Sequence, residues 1–167
     1  ESEEEFRLKN KNVPFSEIKI YHAFSKLSDD WFVWHSVHWR DPIKDENREA
    51  DVVVLHRYKG FCVIEIKGGE ISLVKGKYYT IPSQSKNKNK HKKDSGKSVQ
   101  KNKIKDPFRQ AVETLHRIKD FYIEQARGRS NCSELLSYTY QGKEDFPGGY
   151  TCAVIFPDSY FKNKMES

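Results

Sequence analysis

No apolar run in the 167 residues approaches the roughly 18–20 needed to span a membrane. No secretory hydrophobic stretch stands near the start either. Cysteine is scarce: Cys62, Cys132 and Cys152 are odd in number and widely spaced, which excludes a disulfide framework and shows no zinc pairing. Reduced thiols in a cytoplasmic protein are the expectation. Hydrophobic residues make up only 36% of the chain and mean hydropathy is −0.86, so polar insertions must dilute whatever core forms. At this length one domain with a single core is expected.

Acidic residues are nearly missing from one segment. Residues 86–105 hold nine lysines and one aspartate, while the rest of the chain carries 21 basic and 23 acidic residues. The net charge of +6 is therefore a local property of a Lys/Asn/Ser-rich insertion, 84–105, and the domain body is mildly acidic. Ser95-Gly96-Lys97-Ser98 resembles the tail of a phosphate-binding loop, but His91 stands where that motif needs glycine, which excludes a nucleotide site there. The insertion reads either as a solvated mobile loop or as a clamp making nonspecific, salt-sensitive phosphate contacts.

What the chain does have is concentrated in residues 49–69. Two β-branched runs flank a polar turn, Arg57 to Gly60, a hairpin signal. Strict alternation places Glu49, Asp51, Val53 and Leu55 on one face, and Phe61, Val63, Glu65 and Lys67 on one face of the second strand. With the turn centred near Tyr58, Asp51 falls opposite Glu65 and Glu49 opposite Lys67. Directly opposed Cβ atoms lie roughly 4.5–5.5 Å apart. Two carboxylates that close repel unless a cation lies between them or one is protonated. Hard cations such as Mg²⁺ or Mn²⁺ take oxygen ligands, and a lysine on the same face can orient water and neutralise developing charge. Gly68-Gly69 would leave the neighbouring backbone open to a phosphate. A charged cross-strand cluster at a solvent-facing hairpin end is the other reading of the same spacing.

Around this hairpin, 1–12 reads as a charged lead-in. A helix over 14–27 carries the stripe Glu17, Ile20, Tyr21, Phe24 and Leu27, in which Glu17 is either a solvated first-turn glutamate or within reach of a metal. Residues 31–39 form a strand with His35 and His38 on opposite faces, which favours packing or surface roles for both, and 40–48 a polar loop. A second small hairpin covers 70–74 and 77–81. Asp106 caps a helix over 106–126 whose core stripe is Phe108, Ala111, Val112, Leu115, Ile118 and Tyr122, with Gln110 on its flank. A loop over 127–149, with a short helix at 133–136, leads to a strand over 150–156.

The ordered set Glu17, Glu49-Ala50-Asp51, Glu65-Ile66-Lys67-Gly68 and Pro107-x-x-Gln110 resembles the nuclease-related domain. That family belongs to the restriction-endonuclease-like, PD-(D/E)xK superfamily. The resemblance covers about 13–158, leaving 159–167 as a tail or the start of a following segment, and implies an α/β fold with a central mixed sheet flanked by helices. It implies Asp51 and Glu65 as metal ligands, Lys67 as catalytic lysine, Glu17 as a further metal or water contact, and Gln110 as a site-lining residue. The implied cofactor is Mg²⁺ or Mn²⁺, and the implied activity is hydrolysis of phosphodiester bonds, in DNA rather than RNA. Ala50 stands where the superfamily's name has proline. The sequence opens on Glu1 rather than methionine, and the expectation is one domain of a larger bacterial nucleic-acid-processing or anti-phage protein, partnered by a helicase or ATPase module. A non-catalytic nucleic-acid-binding module with the same fold is the alternative reading, and a protein-interaction adaptor a third.

Overall fold

Hydrophobic alternation in the two β-branched runs builds the centre of the molecule. A computed structural model of the chain describes residues 14–41, 46–81, 101–128, 133–139 and 141–159. In order the elements are α1 (Phe15–Phe24), β1 (Trp31–Asp41), β2 (Glu46–His56), β3 (Gly60–Ile66), β4 (Glu70–Val74), β5 (Lys77–Ile81) and β6 (Asn102–Lys103). They continue with α2 (Pro107–Arg127), a 3₁₀ turn (Ser133–Leu135), β7 (Ser137–Tyr138), β8 (Glu144–Asp145) and β9 (Gly149–Ile155). The central sheet has the order β1-β2-β3-β9. Its first two pairings are antiparallel and β3–β9 is parallel, so the sheet is mixed.

The β2–β3 register pairs Val52 with Ile64 and Val53 with Val63. This is the register the turn predicts, and it carries Asp51 and Glu65 to the same end of the ladder. Gly60 opens β3 with a φ of 107°, and a Cβ there would meet the Gly149 carbonyl oxygen at 1.7 Å. Only glycine allows β9 to pass so close beside the turn.

Each face of the sheet has its own cluster. Val53, Phe61 and Val63 pack with Leu115 of α2, and Val52, Val54, Ile64 and Ile66 pack with Ile20 and Phe24 of α1. Full burial of one such side chain contributes roughly 1.5–3 kcal/mol relative to exposure. Parallel strands need a long crossover, and α2 supplies it, packing against both β3 and β9. The Lys119 ammonium bonds Asp145 at 3.2 Å and Tyr150 at 3.3 Å, tying α2 to β8 and β9.

Several expectations are corrected. Ala50 packs in the α2-side cluster with Val53, so alternation breaks at Asp51 and the odd positions of β2 do not all share one face. The ladder runs from His35–Val52 to Val37–Ala50, and Ser36 between them has a φ of 50°, a local irregularity of the kind that re-aims a side chain. Phe108 and Val112 are exposed rather than core, because the small residues Ala111 and Thr114 with Leu115 form the contact face of α2. Phe108 rests instead on the Tyr78 and Phe156 rings. Helix α1 ends at Phe24, leaving Leu27 in a turn, while Ser16 and Ile18 are buried in its first turns. Much of the expected 40–48 loop is strand, with residues 42–45 outside the described residues. β6 pairs with β5, so the end of the expected insertion belongs to a sheet. The rest of it, 82–100, lies outside the described residues, as do 1–13, Cys132 and 160–167.

Candidate active site

Asp51 and Glu65 meet where the β2–β3 ladder ends. The Ile66 amide donates to Asp51 Oδ2 at 2.6 Å, fixing that carboxylate against β3. Glu65 is only 1% exposed, and its Oε1 accepts from the Lys67 ammonium. The Lys67 amide in turn donates to the Ile155 carbonyl of β9 at 3.0 Å, so β9 holds the lysine's backbone. From α1, Glu17 Oε2 lies 2.9 Å from His35 Nε2, with both side chains about 15% exposed or less.

The electrostatics follow from three carboxylates against one lysine. Burial pushes Asp51 above the usual carboxylate range, opposed by the Ile66 amide and the Lys67 charge. Burial also raises Glu65, with the Lys67 bond opposing and the Asp51 charge adding to the rise. Glu17 is raised by burial and by Asp51, against the His35 bond. Proton uptake or a bound cation would relieve this repulsion. The donor set, carboxylate oxygens on two paired strands with Glu65 buried, suits a hard divalent cation. Each carboxylate is engaged by a protein donor, and among the described residues no group of three or more His, Cys, Asp or Glu is arranged around a common point for a metal ion.

The structure thus brings Glu17, Asp51, Glu65 and Lys67 into one interacting set. Gln110 stands apart, in a cleft of about 750 Å³ lined also by Trp39, Arg48, Glu49, Arg109 and Arg117. Among the described residues no hydrogen bond joins its side chain to Asp51, Glu65 or Lys67. The glycines after Lys67 are not open to a ligand as expected. A Cβ on Gly68 would meet Ser16 Oγ at 2.7 Å, and one on Gly69 the Ile81 carbonyl oxygen at 2.5 Å, so the chain itself fills that space.

Two neighbours of the site escaped sequence reasoning. His35, expected to pack or face solvent, contacts Glu17, because α1 packs on its face of the sheet, which no sequence pattern announced. Asp158 accepts from the Gly69 amide at 3.0 Å and from Lys19 Nζ at 3.0 Å, joining the turn after Lys67 to the helix that carries Glu17. Beyond Pro157 no pattern announced it. His38 is largely exposed, 3.8 Å from Glu49.

The family model described as the nuclease-related domain matches residues 15–156. The chain belongs to the nuclease-related domain family. No curated protein and no solved structure matches the chain. The match runs from the start of α1 to just past β9, so it takes in Glu17, Asp51, Glu65, Lys67 and Gln110 and stops two residues before Asp158. Membership in the nuclease-related domain family implies a nuclease-like function on nucleic acid, with divalent-metal use as its general habit. No helix among the described residues is long and apolar enough to cross a membrane.

Proposed function

We propose that this nuclease-related domain is a metal-dependent nuclease that hydrolyses phosphodiester bonds, in DNA rather than RNA. One observation carries the reading: Asp51 is fixed against β3 beside Glu65, and Glu65 is paired with Lys67, at one end of the β2–β3 ladder. Asp51 and Glu65 are the residues to hold Mg²⁺ or Mn²⁺, with Glu17 as an additional contact. When bound, such an ion would make water more acidic and offset charge at phosphorus. Lys67 orients the attacking water and stabilises the charge that grows in the transition state. The surrounding β-sheet fixes both carboxylates before substrate arrives, which preorganises the site. Gln110 lines a separate cleft together with Arg48, Arg109 and Arg117, and is assigned only a site-lining role.

A specific observation favours a second reading, a non-catalytic nucleic-acid-binding module. Every carboxylate of the set already has a protein donor, as a site that had lost its metal would. Cleavage of plasmid and single-stranded DNA and of RNA, with Mg²⁺ or Mn²⁺ and with chelator, separates the two. The nuclease predicts metal-dependent cleavage lost in Asp51→Ala; retention of nucleic-acid binding with no cleavage in any metal contradicts it. The proposal extends to a place in a larger bacterial nucleic-acid-processing or anti-phage protein, in the cytoplasm, beside a helicase or ATPase module.

A further inference from the structure

Among the described residues only Ser36 and Lys75 are non-glycine residues with positive φ. Lys75 sits with Gly76 at the tip of the β4–β5 hairpin, where such angles are ordinary. Ser36 lies in the middle of an eleven-residue strand, where a serine at 50° is unusual. Its Oγ lies 3.1 Å from Nδ1 of His35, the opposite ring nitrogen reaches Glu17 at 2.9 Å, and the Tyr21 ring meets the imidazole edge-on at 5.9 Å.

The chemistry selects one tautomer. With Glu17 ionised, its carboxylate can only accept, and Nε2 then carries the hydrogen shared with it. In the neutral ring Nδ1 is then an acceptor, and the Ser36 hydroxyl is its donor. The imidazole is fixed by a hydrogen bond at each nitrogen and an aromatic contact at its edge. His35 pairs with Val52 in the ladder, next to Asp51, so the carboxylate it holds is delivered beside the candidate site.

We propose that His35, locked by Ser36, is a positioning residue that carries the Glu17 carboxylate to the Asp51–Glu65–Lys67 set. This rests on the nuclease reading above, and it assigns a role to a histidine and a strained serine that the candidate catalytic set leaves unexplained. A His35–Glu17 contact serving only to staple α1 to the sheet would affect folding and leave metal affinity unchanged.

The test is Mn²⁺ binding by calorimetry on the whole chain, with thermal unfolding of each variant alongside. Outer-shell partners of this kind typically change metal affinity by about 10–100-fold. His35→Phe should weaken Mn²⁺ binding within that range and Glu17→Gln at least as much, and the double variant should be no weaker than Glu17→Gln, since the two act as one unit. His35→Gln, which keeps an N–H donor, should recover part of the loss. Ser36→Gly accepts the backbone angle and removes the hydroxyl together with Cβ. Long-range ¹H–¹⁵N spectra at neutral pH should show the Nε2–H tautomer of His35 in the parent and a mixture in Ser36→Gly. If His35→Phe fails to fold, His35→Gln against Glu17→Gln and the Ser36→Gly spectrum decide. Parent-like Mn²⁺ affinity in the His35 variants, with affinity still dependent on Asp51, overturns this proposal alone. A parent that binds no Mn²⁺ overturns it together with the nuclease reading.

Discussion

Glu65 is the most buried of the site carboxylates, and its titration should be visible in stability. For an acid whose folded pKa is raised, the contribution to stability is complete below its unfolded pKa and is lost as pH rises through the folded one. Asp51, Glu65 and Glu17 are all raised, chiefly by burial. Without metal, the parent should therefore lose stability relative to Glu65→Gln as pH climbs above the ordinary carboxylate range, in denaturant melts at matched pH. Excess Mn²⁺ should flatten that decline, because a cation favours the ionised carboxylates. At this scale, although the strict alternation expected along β2 is not kept, the arrival of Asp51 and Glu65 at one end of the ladder was legible because the hairpin turn fixes the β2–β3 register. His35 was not. Alternation tells which way a strand residue points but not that a helix 18 residues earlier will bring a glutamate to meet it.

Among the elements, α2 shows both what sequence determines and what packing decides. Asp106 was readable as a cap because the residue type, Pro107 and the apolar period agree, and its Oδ1 does accept from the Phe108 and Arg109 amides at 3.0 and 3.3 Å. Asp106→Ala should cost about 1 kcal/mol of stability. Leu115→Ala, which empties the contact between α2 and the sheet, should cost about 2–5 kcal/mol. Urea denaturation measures both, and a larger loss for Asp106→Ala than for Leu115→Ala would contradict this packing. The exposure of Phe108 and Val112 was not legible, since an apolar stripe does not say which of its members a sheet of limited width will cover. The break in alternation at Asp51 was equally hidden: it coincides with the positive φ of Ser36 in the neighbouring strand, which no residue pattern announced.

For the molecule as a whole, the family resemblance supplied the mixed α/β architecture. The parallel seat of β9 and the Asp158 anchor emerged only from the fold, because both join residues about 90 positions apart. The lysine-rich stretch remains a property of sequence alone. Deleting 86–100, which spares β6, should weaken nucleic-acid binding and lower its salt dependence, since fewer counterions are released, while the unfolding midpoint stays near the parent's. An unchanged slope of log affinity against log salt would assign the stretch to solvent. The most direct test of the nuclease account is the cleavage rate of a plasmid as a function of Mn²⁺ concentration for the parent, Asp51→Ala and Lys67→Ala. The account predicts that Asp51→Ala, lacking a metal ligand, needs far more Mn²⁺ to show any activity. Lys67→Ala should titrate over nearly the parent's range to a plateau about 10²–10³ lower. Lys67→Ala cleaving at the parent's rate, or Asp51→Ala titrating as the parent does, would contradict it.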